Sequence, residues 1–173
     1  MASLSVTVLG VGAIVVLVGL SAFFSSSETA IFTLSESERS ELDASLEERA
    51  EMLRELRSDP HRLLVTILVG NNVVNVAIAS ITTALLIEVI PTGSAVSVAT
   101  VLASFVVLVF GEIVPKAYGL GHAKRWALRV ARPLSVVELV LYPLVAVFDF
   151  LTRRLNARIG GEPEIEHSYD GTE

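Results

Sequence analysis

Charge falls in blocks along this chain, and the blocks mark its elements. No Asp, Glu, Lys or Arg occurs from Ala2 to Ser27, from Leu63 to Ile87, or from Val89 to Gly111. Each run exceeds the roughly 20 residues that a helix needs to cross a bilayer. They predict three membrane spans, at about 3–33, 62–90 and 94–117. The first run reads poorly as a cleaved signal peptide: it lacks a basic leading segment, its apolar part is too long, and no small-x-small site follows. The other reading of the second and third runs, buried helices of a soluble protein, is weakened by three such runs in one short chain.

Between the first two runs lies "SESERSELDASLEERAEMLRELRSDPHR". Leu42, Leu46, Met52, Leu53 and Leu56 recur at roughly helical spacing. The segment predicts an amphipathic helix or helical hairpin over about 36–58, capped at its end by Ser58-Asp59-Pro60.

A fourth apolar stretch, "PLSVVELVLYPLVAVFDFLT", follows Arg132. Hydropathy favours a span, but charge topology opposes it. Basic residues mark the cytoplasmic side. They populate 34–62 (Arg39, Arg49, Arg54, Arg57, Arg62), are absent from the loop at 90–94, and return at Lys116, Lys124, Arg125, Arg129 and Arg132. The N-terminus is then outside, and three crossings bring the chain in. A single further crossing would put Arg153, Arg154 and Arg158 outside. Tyr142-Pro143 is expected to break the stretch, because proline removes a helix hydrogen bond and clashes with the preceding turn. Glu138 and Asp149 suit lipid badly. The expectation is a pair of juxtamembrane helices over about 120–156, lying on or dipping into the cytoplasmic face. Its rival is a true fourth span that violates the charge rule. The fold class is therefore an all-α membrane protein: three transmembrane helices plus cytoplasmic-side juxtamembrane amphipathic helices. One transport domain covers 1–158, and a polar tail, 159–173, is expected to be disordered.

Composition narrows the function. Hydrophobic residues make up 52% and charged residues 18%, where soluble domains carry about 25% charged. Without cysteine, disulfides and thiolate metal sites are excluded. His61, His122 and His167 are scattered, against a zinc or haem site, and the net charge of −6 argues against nucleic acid. No nucleophile–base pair, phosphate loop or H-E-x-x-H motif is present, so no enzyme is expected.

Each predicted span carries polar residues. In "SAFFSSSETA", Ser21, Ser25 and Glu28 share one helical face, flanked by Ser26 and Ser27. In "GNNVVNVAIAS", Asn71 and Asn75 are spaced i, i+4, and Asn72 and Asn75 i, i+3. The third span offers Gly111 and Glu112. At about 1.5 Å rise per residue the asparagines lie roughly 12–18 Å from the cytoplasmic edge, and the three clusters can meet in the inner half of the membrane. Pro115 cannot supply the N–H that would bond the Gly111 carbonyl in a regular helix, and a glycine admits close approach. Carboxylate, amide, hydroxyl and carbonyl oxygens suit hard cations: Mg²⁺, Ca²⁺, Mn²⁺ or Na⁺. The bland alternative is polar glue, since Ser and Asn often join membrane helices. Lys116 reads as a snorkelling anchor, and Glu28 as a secondary ligand, a Na⁺ candidate, a cap or the partner of a juxtamembrane arginine. Gly70, Gly111 and Pro115 are candidate hinges.

In combination, "SAFFSSSETAIFTLS", "LLVTILVGNNVVNVAIAS" and "FGEIVPKAYG" resemble the membrane module of the CorC / cyclin M (CNNM) family of magnesium transporters, over nearly the whole chain. The resemblance implies a homodimer in the bilayer, with three spans per subunit and a belt of juxtamembrane helices. It implies Mg²⁺ export from the cytoplasm across the plasma membrane, coupled to Na⁺. It also implies an ion site at Ser21, Ser25, Ser26, Asn71, Asn72, Asn75, Gly111 and Glu112. Family members usually continue into ATP-binding CBS repeats; this chain ends at Glu173 without them, which puts nucleotide regulation in doubt. The expected mechanism is alternating access; the alternative functions are a Mg²⁺-binding membrane sensor or scaffold without transport, and an uncoupled channel. Choice among Mg²⁺, Mn²⁺ and Co²⁺ is left open.

Overall fold

The structure is a computed structural model describing residues 2–159; residue 1 and nearly all of the predicted tail, 160–173, lie outside the described residues. Every described element is a helix. The first apolar run forms α1 (Ala2–Phe32). The charged segment folds as a hairpin, α2 (Glu36–Asp43) and α3 (Glu48–Arg57). Ser35 starts α2 with a capping box: its hydroxyl accepts from the Glu38 N–H, and the Glu38 carboxylate accepts from the Ser35 N–H at 2.9 Å. Asp59-Pro60, expected to end the charged helix, instead begins α4 (Pro60–Ile87). The Asp59 carboxylate accepts from the Arg62 N–H, and Pro60 occupies the first turn, where its missing donor costs nothing. The third run is α5 (Thr92–Val106), a π-helical segment (Val107–Ile113) and α6 (Val114–Gly121).

The last helix, α7 (Ala123–Ile159), departs from expectation. It runs unbroken through Tyr142-Pro143, with Pro133 and Pro143 both inside. Proline's penalty, about 3 kcal/mol, is local. Burial of Ala127, Val130, Ala131 and Leu134, which recur at i, i+3, i+4 and i+7, opposes it, as does burial of Val145 beyond the second proline. Helices Ser5–Phe32, Pro60–Ile87, Thr92–Gly121 and Ala123–Phe148 are each long and apolar enough to cross a membrane. Among the described residues four helices thus qualify by length and composition, which differs from the expected three; the count of three rested on charge topology and set aside the hydropathy of the fourth stretch.

One core ties spans to hairpin. Phe24, Ala30, Ile31, Leu63 and Ile67 from α1 and α4 join Leu42, Leu53 and Leu56 of the hairpin and Ala127 to Leu134 of α7. Outward faces stay apolar, with Val8, Leu9, Val101 and Leu139 exposed, as suits helices in lipid. α1 packs most closely where its residues are small. A Cβ added at Gly119 of α6 would lie 2.5 Å from the Ser26 carbonyl oxygen, so α6 touches the α1 backbone itself.

Candidate functional site

Three segments bring oxygen to one point. Ser21 of α1 is fully buried. Its Oγ lies 3.0 Å from Asn71 Oδ1 and 2.8 Å from Asn75 Oδ1, which α4 presents one turn apart. A serine hydroxyl has a single proton. It can donate to one of these oxygens, leaving the other O···O approach with no proton between. Asn75 Nδ2 lies 3.5 Å from Glu112 Oε1, the outer limit of a hydrogen bond, so the carboxylate closes the third side. Turning the Asn75 amide over would set its oxygen against that carboxylate; turning Asn71 over would give Ser21 a donor. As oriented, one of the two Ser21 approaches has no proton between its oxygens; with the Asn71 amide turned over, all three contacts are hydrogen bonds, and a hard cation is the other way to hold the oxygens together. The two separations from Ser21 are close to the about 2.9 Å between adjacent ligands of an octahedral Mg²⁺, and they are also ordinary hydrogen-bond lengths.

Gly111 makes the approach possible. A Cβ there would lie 2.6 Å from Ser21 Oγ and 3.2 Å from Ser21 Cβ. Gly111 and Glu112 lie within the π-helical segment, a wide turn found mostly at functional sites. There the Val114 N–H reaches back five residues to the Val109 carbonyl. Continued one residue, that register assigns the bond Pro115 cannot make to Phe110. The expected release of the Gly111 carbonyl assumed a regular α-helix, which the π turn does not match; what Gly111 contributes in this packing is space for Ser21. Pro115 is buried in the first turn of α6.

The remaining predicted residues divide. Ser25, one turn from Ser21 on the same face, is buried with no hydrogen-bond partner for its Oγ. Ser26 is engaged elsewhere: its hydroxyl donates to the Ala22 carbonyl at 2.7 Å and accepts from Trp126 Nε1 at 3.0 Å. Asn72 is exposed on another side of α4, away from the Ser21–Asn75 cluster. Gly70 seats the Phe24 ring, 2.5 Å from where its Cβ would be.

The two membrane carboxylates differ in their partners. Glu28 pairs with Lys116 at 3.1 Å and not with the expected arginine, so Lys116 is more than an anchor. Glu112 meets no basic group within ion-pair distance among the described residues. A carboxylate at membrane depth costs several kcal/mol unless compensated, and Glu112 is the one that calls for a cation. Among the described residues no three His, Cys, Asp or Glu side chains gather as a metal cage. One carboxylate with neutral oxygens is a donor set that could hold a hard cation such as Mg²⁺ with part of its water retained. Trp126 and Gly119 escaped sequence reading. A single indole beside a serine-rich span was the available signal for the first; nothing in sequence marked the second.

Residues 12–173 match the family described as "Cyclin M transmembrane N-terminal domain". A chloroplastic DUF21 domain-containing protein of Arabidopsis thaliana is 39% identical over 79% of this chain and 21% of its own length. A UPF0053 protein of Haemophilus influenzae is 33% identical over 82% of this chain and 33% of its own. The UPF0053 inner membrane protein of Escherichia coli K12 is 30% identical over 84% of this chain and 34% of its own. The aligned region thus spans from a fifth to a third of these relatives.

Proposed function

Because this chain belongs to the family of cyclin M transmembrane N-terminal domains and is a multi-pass membrane protein, we propose that it is the membrane domain of a Mg²⁺ transporter. It exports Mg²⁺ by alternating access, coupled to Na⁺, and works as a homodimer in the plasma membrane with the N-terminus outside. The observation that carries this reading is the convergence of Ser21, Asn71, Asn75 and the uncompensated Glu112. Mg²⁺ is the cargo. Glu112 supplies charge, the asparagines and Ser21 supply neutral oxygens, and Ser25 offers a further buried hydroxyl one turn away. The π-helical segment is the natural moving part: a return to α-helical register would rotate Glu112 away from Asn75 and open the cluster. Pro115 directly follows it and Gly111 lies within it, while Gly70 gives α4 its close seat on Phe24.

Three spans fit the contacts of α7 better than four. Trp126 reaches Ser26 near the end of α1; Glu138 reaches Arg62 at 2.6 Å in the first turn of α4, and the Arg62 guanidinium lies 5.0 Å from the Tyr142 ring. A spanning helix would descend about 18–24 Å between Trp126 and Glu138 or Tyr142. Ser26 and Arg62 lie only about 9 Å and 3 Å from the ends of their helices. That supports α7 crossing the end of the bundle beside the charged hairpin, as a juxtamembrane helix on the cytoplasmic side.

The test is ion flux in proteoliposomes. Reconstituted protein should move Mg²⁺ when a Na⁺ gradient is imposed, and Glu112→Gln should abolish movement and Mg²⁺-dependent thermal stabilisation together. Stabilisation without flux in the wild type would establish a sensor or scaffold instead. Unchanged Mg²⁺ affinity in both Glu112→Gln and Asn75→Ala would remove the ion site.

A further inference from the structure

A second polar feature lies away from the ion cluster, where α1 and α4 meet the charged hairpin. A cavity of about 210 Å³ is lined by Ile31 and Phe32 of α1, Arg39 of α2, Arg57 of α3, and Pro60 and Leu63 of α4. Its walls are apolar on the span side; on the hairpin side they carry Arg39, which is exposed, and Arg57, which is half-buried. Arg39 is held in place by its Nε, which donates to the Leu34 carbonyl at 3.0 Å, leaving its terminal nitrogens available. Arg57 makes no hydrogen bond and neither arginine makes an ion pair among the described residues, although the hairpin is rich in acid. Burial and then the neighbouring Arg39 charge hold the Arg57 guanidinium below its ordinary pKa, with Asp43 opposing them. An arginine does not shed its proton under such crowding, and an anion between the two guanidinium groups would balance them beyond what Asp43 does.

We propose that Arg39 and Arg57 form a binding site for the phosphate of an anionic membrane phospholipid, whose glycerol and upper acyl carbons lie on Ile31, Phe32, Pro60 and Leu63. Planar guanidinium groups bind phosphate through paired hydrogen bonds. The cavity falls below the about 300–1,000 Å³ of sites that enclose a drug-sized ligand, so it takes a headgroup phosphate and leaves the rest of the lipid along its open side. Phe32 is 39% exposed beside it and gives the acyl chain a path along α1. A lipid held there would cross-link the hairpin to α1 and α4. The inference rests on membrane placement and is independent of the ion-transport reading.

Thermal unfolding of the detergent-solubilised full chain tests it, with phosphatidylglycerol, phosphatidylcholine of the same acyl chains, or inorganic phosphate added. Phosphatidylglycerol should raise the wild-type midpoint and phosphatidylcholine should not. Arg39→Gln with Arg57→Gln should weaken phosphatidylglycerol binding about tenfold or more, as loss of charge-assisted hydrogen bonds does, whereas Arg132→Gln, an exposed control, should not. Native mass spectrometry of the wild type should count bound phosphatidylglycerol in preference to phosphatidylcholine, which covers the case of a double variant that does not fold. Equal binding of the two lipids by the wild type, or an unchanged response in a folded double variant, overturns the site. An equal shift from inorganic phosphate overturns the lipid as its occupant.

Discussion

Gly111 and Ser21 meet so closely that one added carbon would lie 2.6 Å from the serine oxygen. The contact joins the π-helical segment to the buried face of α1 and aims the hydroxyl at Asn71 and Asn75. Gly111→Ala should therefore turn Ser21 away from both amides. Overpacking costs about 1–3 kcal/mol, and Mg²⁺-dependent thermal stabilisation should fall with it. Full retention of that stabilisation in a folded Gly111→Ala protein would mean that Ser21 contributes nothing to ion binding.

Gly119 faces backbone, which cannot rotate aside. Gly119→Ala should force α6 off α1 and lower the unfolding midpoint, without passing through the ion cluster. Gly93→Ala, with open space around the new methyl, is the matched control and should be neutral or slightly stabilising. Equal midpoints for the two would contradict the α1–α6 packing.

Trp126 donates its indole N–H to Ser26 at 3.0 Å. Trp126→Phe keeps most of the ring and removes the donor, at about 1 kcal/mol for a lost hydrogen bond. The Ser26 hydroxyl retains the Ala22 carbonyl, so no buried proton is stranded. Pairing this change with Ser26→Ala in a double-mutant cycle should give a coupling of similar size. Strict additivity would show the bond to be energetically silent.

Glu28 and Lys116 are partly exposed, with side chains 25% and 45% accessible, so their pair should behave differently from Glu112. A double-mutant cycle with Glu28→Gln and Lys116→Met should give about 1 kcal/mol or less. Mg²⁺ stabilisation should survive Glu28→Gln and disappear with Glu112→Gln. Loss in both would make Glu28 part of the ion site.

The capping box gives a pH signature outside the membrane. The Ser35 backbone N–H, then the Ser35 hydroxyl, hold the Glu38 carboxyl below its ordinary pKa of 4.5. A carboxyl with a lowered folded pKa stabilises above its unfolded pKa, and that contribution fades as pH falls through the folded value. Wild type should lose hairpin protection in hydrogen exchange below about pH 4.5, and Glu38→Gln should show a flatter profile over the same window. Identical profiles would rule out the box as a contributor.

That α1, α4 and the third apolar run could cross was readable from charge-free runs, because excluding charge from hydrocarbon is a constraint on every residue of a run; α7 qualifies by hydropathy despite its charges. The shared faces of Asn71 with Asn75 and of Ser21 with Ser25 were readable too, since helical periodicity alone sets each pair one turn apart. Periodicity could not say how neighbouring helices rotate against each other. That rotation turned Asn72 outward, spent Ser26 on Trp126, paired Glu28 with Lys116 and left Glu112 facing Asn75. The continuity of α7 through Pro143 was equally hidden, because a proline's local cost is visible in sequence while the burial opposing it belongs to distant residues. The wide turn at Val107–Ile113 depends on contact across helices as well: a glycine at 111 is written in the chain, but the serine it makes room for is ninety residues away and arrives only when α1 and the third apolar run pack.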